Sequence, residues 1–168
     1  SFDVGDVERA AALIHRARIP AAWYLIVGAP GETPETMAET FRTVSRVAGP
    51  LDLVSIGVGI RVYDGAPIAA ASSSEQGGPP PHGFLEHVGY EPKGLTLRQL
   101  KARAAWSTAW HHNFLMFDEQ ANIPMWFRVV FRWLAPRQPI WRGYIYLRLL
   151  EKVTGLFLVR VLRSWCAR

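Results

Sequence analysis

The 168 residues amount to 18.9 kDa, an ordinary size for one domain. A hydrophobic fraction of 49% with 20% charged residues excludes a disordered chain, and 14 glycines with 12 prolines exclude a collagen-like one. The net charge of +5 is unevenly spread. Residues 1–125 carry ten Lys/Arg against thirteen Asp/Glu, whereas residues 126–168 carry nine Lys/Arg against one acid, Glu151. Four of the seven tryptophans (Trp126, Trp133, Trp141 and Trp165) share that basic tail. The one cysteine, Cys166, cannot form an intrachain disulfide or supply a four-thiolate metal site. No uninterrupted apolar run reaches the length of a spanning helix. The residues given show neither the charged start nor the apolar segment of a secretory signal. The expected location is therefore cytoplasmic, with the basic tail suited to peripheral contact with a membrane.

In chain order, the first predicted helix starts at Asp3 or Asp6 and runs to about Arg18, with Val7, Ala11, Ile14 and Ala17 recurring at helical spacing. Ile19-Pro20 ends it, because a residue before proline avoids the α region. Ala21 to Val27 is a continuous apolar run, as in a strand buried on both faces. Thr33 then caps a second helix, with Pro34 at its first position and Met37, Phe41, Val44 and Ala48 as its apolar stripe. Glu32, Glu35 and Glu39 place negative charge toward its positive end, and Gly49-Pro50 stops it. A second strand is predicted from Leu53 to about Val62, interrupted by Gly57 and Gly59.

Helix, strand, helix and strand with short connections imply a parallel sheet with crossover helices. Two such strands alone cannot be buried, so the body reads as a piece of something larger. Residues 71–95 read as a loop or linker, rich in Ser, Gly and Pro. Thr96 caps a third helix expected to reach about Phe117, with Leu97, Leu100, Ala104, Ser107 and Trp110 on one stripe. Two or three further helices follow, one opened by Pro124 and the last set off by Pro136 and Pro139. Residues 96–168 are thus expected to form an all-helical extension.

The most specific stretch is Tyr24-Leu25-Ile26-Val27-Gly28-Ala29-Pro30-Gly31-Glu32-Thr33: a strand, a Gly-Pro-Gly turn and a capped helix. Ligands of parallel α/β folds bind at such strand ends, and a helix start offers N–H groups to an anion. The same turn also serves as a tight strand-to-helix connection with no ligand. It is not a P-loop, because Glu32-Thr33 follows Gly31 where a Lys-Ser/Thr pair is needed. His111 and His112 are adjacent, so on a helix they point about 100° apart and do not share a metal.

The stretch resembles the fifth strand and helix of radical SAM enzymes, best matched in those carrying a cobalamin-binding domain. A second stretch, Gly59-Ile60-Arg61-Val62-Tyr63-Asp64-Gly65-Ala66-Pro67-Ile68, is similar to their sixth strand, which commonly ends R-x-Y-P-G-T-P-L. Asp64, Ala66 and Ile68 depart from that pattern. The resemblance covers residues 3–70 well and 71–125 loosely. It implies that residues 1–70 are the last strands of a partial (β/α)6 TIM-like barrel, and that the parent enzyme uses S-adenosylmethionine, a [4Fe–4S] cluster and, in the best-matched type, cobalamin. It further implies cofactor contacts at Tyr24, Ile26, Gly28, Pro30, Gly31, Gly57, Gly59 and Arg61. The C-x-x-x-C-x-x-C motif that holds the cluster is absent from these 168 residues. The chain is therefore expected to be the C-terminal part of such an enzyme, inactive alone, with no catalytic residue and no metal ligand of its own. A small-molecule or lipid-like substrate of the parent would suit this reading.

Arg61 points either to an anionic ligand group or to an ion pair with Glu32 or Asp64. Three readings stand for residues 126–168. They form a helical cap with a solvated basic face, a surface for anionic membranes, or a nucleic-acid contact. No recognition motif supports the last, and no nucleic-acid partner is expected. A non-catalytic peripheral membrane-binding protein is the alternative function, though a two-stranded sheet with exposed apolar edges weighs against it.

Overall fold

The computed structural model describes residues 3–63, 66–69, 87–117 and 125–154. Helix α1 spans Val4–Arg16, strand β1 Ala22–Val27, helix α2 Pro34–Val47 and strand β2 Leu53–Val58. Strands β3 (Ile60–Tyr63) and β4 (His87–Tyr90) follow, then helix α3 (Leu97–Trp110) and strand β5 (Phe114–Met116). Helices α4 (Met125–Leu134) and α5 (Ile140–Thr154) close the described chain. The architecture is mixed α/β around a small parallel sheet.

The helix starts fall where the sequence places them. Asp3, Thr33 and Thr96 each form a reciprocal capping box, accepting from the backbone N–H of Asp6, Thr36 and Gln99 respectively. In the sheet β2 is central and parallel to both β1 and β5. Trp23, Leu25 and Val27 of β1 share one face with Val54 and Ile56 of β2 and Phe114 of β5. Met37 and Val44 of α2 and Leu100 and Ala104 of α3 pack on that face and form the main core. The opposite face carries Ala22, Tyr24, Ile26, Leu53, Ser55, Gly57 and Leu115. Tyr144 and Ile145 of α5 cover only its N-terminal half, against Leu53 and Leu115.

Several expectations need correction. The first strand is not buried on both faces: Tyr24 is 65% and Ile26 67% exposed, because the second face is covered only at one end. The second strand does not run unbroken to Val62. Gly59 takes φ +84°, a left-handed turn that ends β2 and sends β3 into a separate antiparallel ribbon with β4. That ribbon puts a strand at 87–90 inside the expected linker; residues 70–86 lie outside the described residues. Finally, the third helix stops at Trp110 rather than Phe117, with His111 extended as its cap. Phe114–Met116 then pairs beside β2, so the sheet has three parallel strands and not two. In the same helix Trp110 is exposed, and Thr108 is buried instead.

Basic side chains tie α5 to the sheet. Arg148 donates to the carbonyls of Phe114 (2.6 Å) and Thr108 (2.8 Å), and Lys152 to that of Trp110 (2.7 Å). Arg142 reaches the Leu51 carbonyl at 3.3 Å. The C-terminal end of α3 is where cations are favoured by the helix dipole. Part of the basic tail therefore acts inward. Opposite the site end of the strands, Asp52 accepts from His15 (2.7 Å), Trp23 (3.2 Å) and the Gly49 N–H (2.8 Å). Burial pushes the Asp52 carboxyl up, but these donors outweigh it and leave its pKa below the usual carboxylate value.

Candidate functional site

The uncovered half of the second sheet face lies at the C-terminal ends of β1 and β2. Those ends are where parallel sheets present ligands. Tyr24, Ile26, Ser55, Gly57, Arg61 and Phe117 are among the residues around a cavity of about 550 Å³ there. Ser55 is buried, and its hydroxyl has no hydrogen-bond partner. A buried hydroxyl left unpaired costs about 1–3 kcal/mol, and this one lies beneath the cavity wall with almost no surface open to it. Above Ser55 on the same strand face sits Gly57. Its backbone is not left-handed, and a Cβ there would meet only the Leu25 carbonyl oxygen at 3.7 Å and Ile26 Cγ1 at 4.0 Å. Neither conformation nor packing within the described chain calls for glycine at 57. Bare backbone facing an open cavity is what close approach of a ligand uses.

The other glycines have local reasons. Gly28 has φ +101° and Gly59 φ +84°, and the two abut where β1 and β2 end. A Cβ on Gly28 would lie 3.1 Å from Leu100 Cδ1, and one on Gly59 3.1 Å from Leu97 Cδ1. Gly31 also has positive φ, +76°, but stands in open space. The turn does not offer a free anion cradle. The Glu32 carboxylate accepts from the Gly28 N–H and, at 3.1 Å, from the Ala29 N–H, while Pro30 has no N–H to give. Glu32 thus closes its own loop.

Of the residues singled out by sequence, Tyr24, Ile26, Gly57, Gly59 and Arg61 line the cavity. Gly28, Pro30 and Gly31 belong to the Glu32-closed turn and do not line it. Arg61 is exposed and makes no ion pair among the described residues. Glu32 is occupied by the turn, and Asp64 lies outside the described residues. Ser55 and Phe117 were not singled out, nor was Lys101, which also lines the cavity. The period-two alternation through Leu53, Ser55 and Gly57 was the available signal for Ser55.

A larger cleft of about 850 Å³ opens between the β3–β4 ribbon and the start of α3, and Arg61 borders both cavities. Its helix start is already occupied, since the Leu97 N–H bonds Glu91 and the Thr96 N–H bonds Gln99. The sheet-face cavity, at the strand ends and beside the bare Gly57 backbone, is the better candidate. The two adjacent histidines diverge. His111 stacks on Phe114 at 4.4 Å, and His112 bonds the Pro50 carbonyl at 2.8 Å. Burial, then Lys152 and His112, hold the His111 pKa below its usual value. Among the described residues no three His, Cys, Asp or Glu side chains cluster as a metal site. Cys166 lies outside the described residues.

No family model matches the chain, and no curated protein or solved structure is significantly similar to it.

Proposed function

We propose that this chain is the C-terminal part of a radical SAM enzyme, inactive alone, which supplies the adenosyl- and substrate-side wall of the cavity. In this reading β1 and β2 are the fifth and sixth strands of a partial (β/α)6 barrel, and the Gly59–Ile68 stretch starts at the turn that ends β2 and continues into β3. The observation that carries it is the open C-terminal end of the sheet face, with the Gly57 backbone bare toward the cavity. Its support is topological as well. The three parallel strands neighbour one another in chain order, and the helices α2 and α3 that connect them pack on one face. An arc of a β/α barrel has that arrangement; here α5 packs on the N-terminal half of the face that would be inward. β5 is a strand beyond the two that the resemblance accounts for.

The residues fit an adenosyl group in kind. Tyr24 and Ile26 offer apolar surface, and the Gly57 backbone allows close approach. S-adenosylmethionine, when bound, supplies the radical chemistry of such enzymes. The residues do not fit a [4Fe–4S] cluster, since the chain has one cysteine. Cluster ligands would come from polypeptide other than these 168 residues, and cobalamin from a separate domain.

The test is genetic, then biochemical. Reading the coding DNA upstream of the Ser1 codon should reveal C-x-x-x-C-x-x-C in the same frame or in an adjacent gene for a partner. The complete protein, reconstituted without oxygen, should then release 5′-deoxyadenosine from S-adenosylmethionine. Gly57→Val should abolish that release and leave the cluster absorbance intact. Absence of the cysteine motif from both places would overturn the proposal.

The alternative, a non-catalytic protein of the membrane surface, draws on one separate observation, the uncovered face of α4. No helix among the described residues is long and apolar enough to cross a membrane.

A further inference from the structure

Helix α4 has two apolar sides, and only one of them is used. Phe127 and Phe131 are half-buried and lie on one side of the helix. Gly143 of α5 makes the close contact, since a Cβ there would sit 2.6 Å from the Phe131 ring. On the other side stand Met125, Trp126, Val129, Val130 and Trp133, all exposed, Trp133 by 81%. At about 100° per residue these five form one continuous arc. Arg128 and Arg132 lie together on the remaining flank, and Arg137 follows the helix. All three are exposed and have no ion pair among the described residues.

The charge pattern indicates what covers this face. No Asp or Glu occurs between Glu119 and Glu151. The cations of α5 are engaged with backbone carbonyls, as described above, but those of α4 are not. An apolar arc with Trp at its centre and arginines along one edge matches the boundary between acyl chains and anionic headgroups. A nucleic-acid backbone matches the arginines but offers nothing for Met125, Val129 and Val130 of the arc. Ten residues of helix reach about 15 Å, half of what spanning requires, so the helix would lie in the interface and not cross it.

We infer that α4 is an in-plane docking element for anionic membranes. It lays Met125, Trp126, Val129, Val130 and Trp133 into the interface and sets Arg128, Arg132 and Arg137 against lipid phosphates. This stands apart from the cofactor reading, and neither depends on the other.

The test is co-sedimentation of the whole chain with vesicles of phosphatidylcholine alone and of phosphatidylcholine with an equal part of phosphatidylglycerol. The chain should sediment with the anionic vesicles at low salt and be released at about 1 M salt, where screening acts within about 3 Å. Replacing Arg128, Arg132 and Arg137 together by Gln should lower partitioning about 100-fold. Trp126→Ala with Trp133→Ala should lower it by a similar factor. Both variants should keep the far-ultraviolet circular dichroism and thermal midpoint, because the altered side chains lie outside the core. Three results would each overturn the inference: no sedimentation at low salt, equal binding to neutral vesicles, or variants that bind as the parent does. So would lipid-free self-association abolished by the tryptophan changes, which would assign the face to a second copy of the chain.

Discussion

Gly57→Ala separates a glycine kept for a ligand from one kept for the fold. A glycine inside a strand costs about 0.5–1 kcal/mol relative to alanine, through the freedom it loses on folding. At position 57 nothing offsets that cost: the backbone is not left-handed, and the added methyl would meet its nearest atoms at 3.7 and 4.0 Å, ordinary contact. The methyl would enter the cavity without burying further apolar surface. The substitution should therefore stabilise the chain by about 0.5–1 kcal/mol. With a urea slope of about 1.5 kcal/mol/M, the midpoint should rise by about 0.3–0.7 M. Equilibrium urea unfolding followed by circular dichroism measures this directly, with an unchanged slope as the control. The same substitution should weaken occupation of the cavity if the proposed radical SAM reading holds. Destabilisation by 1 kcal/mol or more would show that the fold itself requires glycine there, and the argument for a ligand face would lose its main support.

Other outcomes follow from the same geometry. Gly28→Ala and Gly59→Ala should each destabilise by about 1–3 kcal/mol, since both positions have positive φ and 3.1 Å approaches to leucine methyls; urea midpoints should fall. Asp52 has a folded pKa below its unfolded value, so its stabilisation is present above about pH 4. It is lost as the pH falls through the folded value, and Asp52→Asn should flatten that acid limb of a stability-against-pH curve. His111 also has a lowered folded pKa. Its neutral form is favoured, so stability should decline as the pH drops below about 6.5, and His111→Phe should remove that slope. Arg148→Met removes two charged hydrogen bonds to backbone carbonyls, at 2.6 and 2.8 Å, and should cost about 2–4 kcal/mol. Hydrogen exchange in α5 should then speed up more than in α2.

The legible part of the fold was the part written in local chemistry. Asp3, Thr33 and Thr96 announce their helices because a capping side chain acts within three residues of itself. β1 and β2 were visible as apolar runs. β5 was not: Phe114–Met116 is three residues long, and its strand conformation comes from pairing with Val54–Ile56, sixty residues earlier. The split at Gly59 was hidden for a related reason, since Leu53 to Val62 keeps strand-like residues on both sides of a turn made by one glycine. Tyr24, Ile26, Gly57, Gly59 and Arg61, named from motif and strand position, line the sheet-face cavity. Gly28, Pro30 and Gly31, named from the same motif, lie in the turn that Glu32 closes, and in sequence a glycine turn reads the same whether it wraps an anion or its own carboxylate. The basic tail could not be divided by sequence. Only packing shows that Arg142, Arg148 and Lys152 bond the body of the protein, while Arg128 and Arg132 do not.

β1 is an outer strand of its sheet among the described residues, with β2 on one side only. Its sequence is Ala-Trp-Tyr-Leu-Ile-Val, six residues with no charge, no proline and no glycine. Proteins usually blunt such an edge with a lysine, a proline or a bulge, and this segment carries no such gatekeeper. It also has the composition of segments that stack into steric zippers. Handling of the isolated chain should reflect this: overexpressed without a neighbouring strand to pair with β1, it should accumulate in inclusion bodies and seed thioflavin-positive fibres. Tyr24→Lys, a charge on the exposed side of that edge, should delay fibre growth while leaving the main core on the opposite face intact.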